Sequence, residues 1–276
     1  MTARAALRRP RGTRRPATGG RERTRRRPRA RHARATGGTL GTVVDAGGRG
    51  GARPTPTEDL RTPVLARVVR GLPARRRALL AVDGIGASGK STFAAALAGH
   101  VRTRPVVLLH ADDFFHPAAV RHARGRFSPE GFWLDTYDYD ALVSWALGPL
   151  CRGGTGLYRR ASFDRDTGAA TCPDVEQAPE DALVVVEGTF LHRDELATFW
   201  DASVYLDVPT DVAERRMRQR GGLDEQLADA LLARYAGAQR LYLAHARPWE
   251  RASVVVDNTD PTAPAVIAPA RAHAAR

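Results

Sequence analysis

The chain has 276 residues, 43 % of them hydrophobic, with 43 Lys and Arg against 30 Asp and Glu. This length suits one large α/β domain or two small ones, and no apolar run approaches the ~20 residues that cross a bilayer, which excludes a helical membrane protein. Two cysteines are too few for a disulfide framework, so the composition favours free thiols in a reducing cytoplasm.

The net charge of +13 comes from one end of the chain. Residues 1–53 hold 16 arginines against two acidic residues, whereas residues 54–276 hold 27 basic and 28 acidic residues. The first segment is mostly Arg, Gly, Ala, Thr and Pro, so it cannot bury enough apolar surface to offset the entropy of ordering. We expect residues 1–57 to be a disordered basic segment and residues 58–276 to be the folded domain.

Three interpretations of the basic segment stay open. It could bind nucleic acid through phosphate contacts, and we expect any nucleic-acid contact of this protein only there. A secretion signal is disfavoured, because no apolar stretch follows the arginine pairs. We favour a start of translation further along the chain, near Val43, Leu60 or Val64, in a genome that is biased towards arginine.

From residue 58 onward the pattern predicts strands that alternate with helices. The spacing of apolar residues indicates a first helix from about 59 to 71. Apolar runs predict buried strands at 78–83, 105–110, 182–188, 202–208 and 253–257. Helices are predicted at 92–98, 139–147, 193–200, 211–220 and 224–245. Continuous apolar strands separated by helices predict an α/β fold, a doubly wound parallel sheet with helices on both faces.

The single lysine of the chain, Lys90, stands in a glycine-rich loop between the first strand and the following helix. The pattern Gly84-x-x-x-x-Gly89-Lys90-Ser91 in that setting is typical of a phosphate-binding P-loop. A planar guanidinium does not fit the slot that such a lysine occupies beside the β- and γ-phosphates, which explains why arginine has not replaced it. We expect the nucleotide to contact Gly84, Gly86, Ala87, Ser88, Gly89, Lys90, Ser91 and Thr92.

Two adjacent acids, Asp112 and Asp113, follow the second strand. Ligands of open α/β sheets gather at the carboxyl ends of strands, and Asp112 lies at such an end. A carboxylate there can accept the proton of a substrate hydroxyl as that hydroxyl attacks the γ-phosphate. The alternative is that one aspartate caps the following turn, and with two present both roles can be filled.

Further candidates lie at the end of the third strand and on a later helix. Glu187 is expected to meet magnesium together with the hydroxyl of Ser91, the alternative being a plain strand-end acid in solvent. Arg216 and Arg220 share one helical face, so they could close over the phosphates as part of a small lid and stabilise charge during transfer. In a chain this rich in arginine, a solvated helix face is the alternative.

These elements together resemble the uridine kinase family of P-loop kinases, which also includes relatives of pantothenate kinase and phosphoribulokinase. The matching segments, in order, are 82–92, 112–115, 186–188, the arginine-bearing lid and 255–258. The resemblance implies transfer of phosphate from ATP to a hydroxyl, with Mg²⁺, Asp112 as base and Glu187 at the metal site. It further implies a nucleoside, uridine or cytidine, as acceptor, with Asp138 holding the ribose and Phe115 and Tyr158 as further substrate contacts.

The chain also departs from the family pattern. The segment 158–165 lacks the histidine of the hairpin that reads the pyrimidine in uridine kinases, which opens the question of the acceptor. Another alcohol, such as pantothenate, a sugar or a vitamin, is the alternative acceptor. A nucleotide-dependent switch is disfavoured, because Asp112 supplies a base and the single lysine cannot also form an Asn-Lys-x-Asp motif. The sequence leaves open whether the chain forms a homo-oligomer.

Overall fold

A computed structural model describes residues 61–219 and 225–276. The basic segment and Arg220 lie outside the described residues, so the domain boundary after residue 57 stays a prediction. The helices are α1 (Arg61–Val69), α2 (Lys90–His100), α3 (Ala118–Arg121), α4 (Pro129–Asp135), α5 (Tyr139–Ala141), α6 (Gly148–Leu150), α7 (Thr210–Gln219), α8 (Glu225–Ala246) and α9 (Pro248–Arg251). The strands are β1 (Ala78–Gly84), β2 (Val106–His110), β3 (Leu157–Tyr158), β4 (Phe163–Asp164), β5 (Ala169–Ala170), β6 (Glu176–Gln177), β7 (Leu183–Gly188), β8 (Ala202–Asp207), β9 (Val254–Asp257) and β10 (Ala265–Ile267).

Six strands form the central sheet, in the order β10-β9-β8-β1-β7-β2. Strand β1 lies between β7 and β8 and runs parallel to both, while β10 adds an antiparallel edge next to β9. Every residue of β1 and of β7 is buried. The predicted α/β fold with a mainly parallel sheet and helices on both faces is therefore confirmed, and the antiparallel edge strand is an addition to it.

Each face of the sheet has its own hydrophobic core, because alternate residues of β1 point to opposite sides. Leu80 belongs to a cluster that includes residues of α1 and α2. Leu79 belongs to a cluster that includes the helical segment 139–150 and residues of α8. With both faces covered, the loops that follow β1, β2 and β7 meet at the carboxyl edge of the sheet, where ligands of such folds bind.

The predicted helix at 193–200 is wrong. The segment consists of turns and one short 3₁₀-helix, Ala197–Phe199. Its start is fixed from outside, because the backbone N–H and the ring of His192 both lie within hydrogen-bonding distance of the buried Asp83 carboxylate. These tertiary contacts outweigh a helical composition, since intrinsic propensity is a weak preference.

Two other helical segments differ from the predictions. The helix predicted at 139–147 begins as α5 and continues as a π-helical stretch, Leu142–Leu147. Helix α4 was not predicted, although its start carries the usual signals: the Ser128 hydroxyl accepts the N–H of Gly131 at 3.0 Å, and Pro129 is the first helical residue. Within the described residues, no helix is both long enough and apolar enough to cross a membrane.

Candidate active site

The loop between β1 and α2 packs closely against neighbouring backbone. A Cβ on Gly84 would lie 2.6 Å from Ser88 Oγ and 2.8 Å from Leu206 O, so no larger residue fits there. Gly89 has a φ of 92°, and a Cβ on it would lie 2.7 Å from Asn258 Nδ2. The same Asn258 amide donates to Ser88 O at 2.7 Å. The residue after β9 thus holds the loop against the start of α2.

Most of the residues predicted to contact a nucleotide line one cavity of about 480 Å³. These are Gly86, Ala87, Gly89, Lys90, Ser91 and Thr92. The other two, Gly84 and Ser88, are buried and do not contribute to the cavity lining. Lys90 begins α2, and its Nζ donates to Ile85 O at 2.9 Å. Because the first backbone N–H groups of an α-helix have no partner within the helix, the start of α2 suits a phosphate group.

Glu187, near the carboxyl end of β7, has two polar contacts at one carboxylate oxygen. Ser91 Oγ donates to Oε1 at 3.0 Å, and His110 Nδ1 lies 2.6 Å from the same atom. Burial raises the pKa of Glu187, but the bonds from His110 and Ser91 and the charge of Lys90 together hold this pKa below its ordinary value. The bond to Glu187 in turn raises the pKa of His110. A charged carboxylate therefore lies directly beside a hydroxyl group.

Ser91 and Glu187 fit a magnesium ion by the chemistry of their oxygen atoms. Mg²⁺ usually keeps several waters and substrate phosphates, so one hydroxyl and one carboxylate are sufficient protein ligands. Among the residues that the structure describes, no three His, Cys, Asp or Glu side chains are grouped so that they could hold a metal ion by themselves. The pair therefore suits an ion that arrives with a nucleotide.

Asp112 lies in a 3₁₀ turn that directly follows β2, and its side chain lines the same cavity. Tyr137 OH donates to Asp112 Oδ1 at 2.9 Å. Burial raises the pKa of Asp112, while the Tyr137 hydroxyl and the charge of Lys90 oppose the rise. The cavity thus contains a carboxylate with a stronger tendency to accept a proton than an ordinary aspartate.

The neighbouring Asp113 has different contacts. Its carboxylate pairs with Arg165 at 2.9 Å, and its backbone oxygen accepts the N–H of Ser162 at 2.9 Å. Asp113 is not one of the residues that line the cavity. The two aspartates therefore have different roles: Asp112 lines the cavity, whereas Asp113 links the turn to the β4–β5 hairpin.

Of the two predicted lid arginines, Arg216 is described, and it lies outside the cavity lining. Arg216 donates to three backbone oxygens, those of Ala87 at 3.3 Å, Asn258 at 3.2 Å and Thr259 at 2.8 Å, so it anchors α7 to the loop instead of lining the cavity. Arg220 lies outside the described residues. Arg218 does line the cavity, paired with an aspartate of α8, and the helical spacing of Arg216 and Arg220 gave no indication of it.

The three predicted substrate contacts are divided between the cavity and its surroundings. Phe115 lines the cavity, with its ring 4.9 Å from that of Tyr137 in an edge-on arrangement. Asp138 lies outside the cavity lining: its carboxylate caps the N–H of Ala141 at 2.8 Å. Tyr158 is buried, and its hydroxyl donates to Glu176 at 2.9 Å, also away from the cavity. A substrate role for Asp138 or Tyr158 stays a prediction.

One group of cavity-lining residues, called the arginine wall below, was not singled out by the sequence. They are Arg121, Phe132, Arg234 and Tyr235, contributed by α3, α4 and α8. The rings of Phe132 and Tyr235 meet edge-on at 4.9 Å. In a chain with so many arginines, no local pattern distinguishes the two that reach this wall.

A buried polar network supports the start of the P-loop from behind. Asp83 accepts the N–H of Gly84 at 2.6 Å, and its other oxygen meets the His192 ring at 2.7 Å and the Tyr242 hydroxyl. The far side of the His192 ring lies 2.9 Å from Ser203 Oγ. Serine, histidine and aspartate are thus in line, but all are buried, so the network fixes the backbone of the loop and reaches no substrate.

No protein-family model and no curated protein matches the chain. Solved structures do. A possible uridine kinase from Bacillus stearothermophilus is 25 % identical, with a TM-score of 0.57 over 71 % of this chain and 96 % of that one. A candidate fructose transport system kinase from Silicibacter sp. TM1040 is 28 % identical, with a TM-score of 0.53 over 69 % of this chain and 94 % of that one.

Both solved structures match most of the described part of the chain. The P-loop kinase fold and the resemblance to the uridine kinase family are thereby confirmed. These neighbours support a small-molecule kinase, that is, a phosphotransferase enzyme.

Proposed function

We propose that the protein transfers the γ-phosphate of ATP to a hydroxyl group of a small molecule, with Asp112 as the general base. One observation carries this proposal: the P-loop with Lys90, the Ser91–Glu187 pair and the Asp112 carboxylate all line a single cavity. A phosphate site, a metal-type oxygen pair and a proton acceptor are the parts that phosphoryl transfer to an alcohol requires. A switch protein would not need the third part.

The P-loop residues and Ser91 with Glu187 have separate tasks in this proposal. The backbone N–H groups at the start of α2 and the Lys90 ammonium hold the phosphates in place. Ser91 and Glu187 would hold Mg²⁺, which when bound supplies positive charge beside the transferring phosphate. His110 keeps the Glu187 carboxylate oriented and charged through the contact at 2.6 Å.

Asp112 takes the proton of the acceptor hydroxyl. Tyr137 occupies Oδ1, which leaves Oδ2 for the acceptor. Because burial raises the pKa of Asp112, the carboxylate is a stronger base than an exposed aspartate would be, and proton transfer to it is more favourable. The Tyr137 bond also fixes the plane of the carboxylate, so that the base is oriented before the acceptor arrives.

The second part of the proposal concerns the identity of the acceptor alcohol. The family resemblance favours a nucleoside such as uridine or cytidine, with Asp138 on the ribose and Tyr158 nearby. Two observations favour the alternative, another alcohol: Asp138 is engaged as a helix cap, and Tyr158 is paired with Glu176. Phe115 is compatible with either acceptor, since it offers an apolar ring.

ADP release by the purified protein tests this function. Uridine, cytidine, pantothenate and common sugars serve as acceptors, with ATP and Mg²⁺ present. We expect Asp112→Asn to lose turnover by about 10²-fold or more while nucleotide affinity is kept, because the amide preserves size and removes the base. Asp113→Asn is the matched control and should be much milder. If Asp112→Asn turns over within about threefold of the parent protein, the base is another group.

A further inference from the structure

Arg234 is a buried arginine for which two of the three guanidinium nitrogens lack a hydrogen-bond partner among the described residues. It lies on α8 with 5 % of its surface exposed, and it lines the candidate active-site cavity. Its Nε and Nη2 are buried and have no hydrogen-bond partner within the described residues. The guanidinium carbon lies 4.8 Å from the centre of the Phe132 ring, a cation–π contact that uses none of the N–H groups.

Arg121 adds a second guanidinium to the same wall. It also lines the cavity, and its guanidinium carbon lies 5.3 Å from the ring centre of Phe115 and 5.2 Å from that of Phe163. Its Nε donates to His116 O at 2.7 Å, and no carboxylate of the described part of the chain forms an ion pair with it. The aromatic rings thus hold the guanidinium in place without neutralising its charge.

The positive charges of this wall are close enough to repel one another. Burial lowers the pKa of Arg234, Tyr235 opposes this shift, and the charges of Arg121 and Arg126 add to the lowering. The same three arginines also lower the pKa of the nearby His122, after burial. A buried cation that lacks an anion is costly, because removal from water is not compensated. An arginine in this state is complementary to an oxyanion, and no described residue supplies one to its Nε or Nη2.

We infer that Arg234 and Arg121 form an oxyanion subsite, and that the acceptor is an alcohol carrying a carboxylate or a phosphate group. The inference rests on the proposed function, because it assigns one end of the acceptor to the arginines and the hydroxyl end to Asp112. A planar guanidinium with free N–H groups matches either anion by paired hydrogen bonds. Phe115, Phe132 and Tyr235 supply the apolar wall between the two ends.

Binding measured without turnover tests the subsite separately from the kinase activity. The P-loop is first saturated with a non-hydrolysable ATP analogue and Mg²⁺, so that anions cannot bind there. Calorimetry then compares matched pairs: pantothenate with its alcohol panthenol, glycerate with glycerol, and ribose 5-phosphate with ribose. The first two pairs report a carboxylate and the third reports a phosphate ester. The variants are Arg234→Met, Arg234→Lys and the control Arg240→Met, an exposed arginine of the same helix.

The expected result is that at least one anion binds about 10- to 150-fold more tightly than its neutral partner, the range for hydrogen bonds to a charged group. Arg234→Met should remove this preference, Arg234→Lys should keep part of it, and Arg240→Met should keep all of it. The affinity for the ATP analogue should stay unchanged in all three. Equal affinities within every pair, or no binding of any pair by the parent protein, would overturn the inference.

A measurement of thermal stability distinguishes the subsite from a purely structural role of Arg234 in the packing of α8. Without any acceptor, Arg234→Met should raise Tm by a few degrees, because an uncompensated buried charge is replaced by an apolar chain of similar length. A large fall in Tm would show that Arg234 serves the packing of α8 and would overturn the subsite. Failure of the proposed function gives a different result: the anions bind as expected, but none of them supports ADP release.

Discussion

Tyr137→Phe is the smallest change that isolates the proposed base. The ring of Tyr137 is buried, with Phe115 at 4.9 Å and Tyr139 at 5.6 Å, and phenylalanine keeps all of this packing. The variant loses the 2.9 Å donation to Asp112 Oδ1, together with the hydrogen bond between the Tyr137 hydroxyl and Thr189. A hydrogen bond to a charged group contributes about 1.5–3 kcal/mol, which corresponds to a factor of about 10 to 150. The fall in turnover should therefore not exceed about 150-fold.

The pKa of Asp112 determines the direction in which the pH profile of Tyr137→Phe should move. Asp112 accepts a proton as a carboxylate, so kcat/KM should fall as the pH falls through its pKa. Burial raises that pKa, and the Tyr137 hydroxyl opposes the rise. Loss of the hydroxyl therefore raises the pKa further, and the acidic limb of the pH profile should move to higher pH.

The assay is kcat/KM against pH for the parent protein, Tyr137→Phe and Tyr139→Phe. The second variant removes a neighbouring buried phenol that does not reach Asp112, so its acidic limb should coincide with that of the parent protein. The reasoning is refuted if the acidic limb of Tyr137→Phe also stays in place, or if both variants move it equally. In that case the titrating base would be a group other than Asp112.

Three further predictions concern the P-loop and its supports. Lys90→Arg should lower turnover by about 10²-fold or more without unfolding, because a guanidinium replaces a compact ammonium beside the phosphates; circular dichroism and ADP release check this. Asp83→Asn should lower the free energy of unfolding by about 3–5 kcal/mol, since it breaks a buried charged network, and urea unfolding measures the loss. Arg216→Gln should weaken nucleotide binding in calorimetry through the loss of its backbone anchors, whereas the exposed Arg215→Gln should match the parent protein.

The sequence predicted those site residues that a local pattern marks. Lys90 and Ser91 belong to a loop motif, and Asp112 and Glu187 lie at or directly after strand ends, so their meeting at one edge follows from the parallel sheet. His110 was within reach of the same argument. It pairs in register with Glu187 across β2 and β7, but the strand order that makes them neighbours is not a local property of the sequence.

The other site residues depend on tertiary packing. Tyr137 lies 25 positions from Asp112, and the pairing that joins the two segments is a single bridge between Phe115 and Tyr137. Asp138, next in the chain, was predicted as a substrate contact, yet the start of α5 uses its carboxylate as a cap. Neighbouring residues of one motif thus face different surroundings, and sequence spacing could not decide which of them reaches the cavity.

Burial is what makes an arginine informative in this chain. Arginine replaces lysine at every basic position except one, so its presence at a site says little. Among the arginines of 61–219 and 225–276, two are buried, and they differ in one respect. Arg193 bonds to Glu195 at 2.9 Å and to Trp133 O at 2.7 Å, so its charge is compensated within the protein. Arg234 lines the candidate active-site cavity, and its Nε and Nη2 have no hydrogen-bond partner in the described part of the chain. The described part of the fold thus compensates one buried arginine and leaves two nitrogens of the other without a hydrogen-bond partner, which is the difference on which the proposed oxyanion subsite rests.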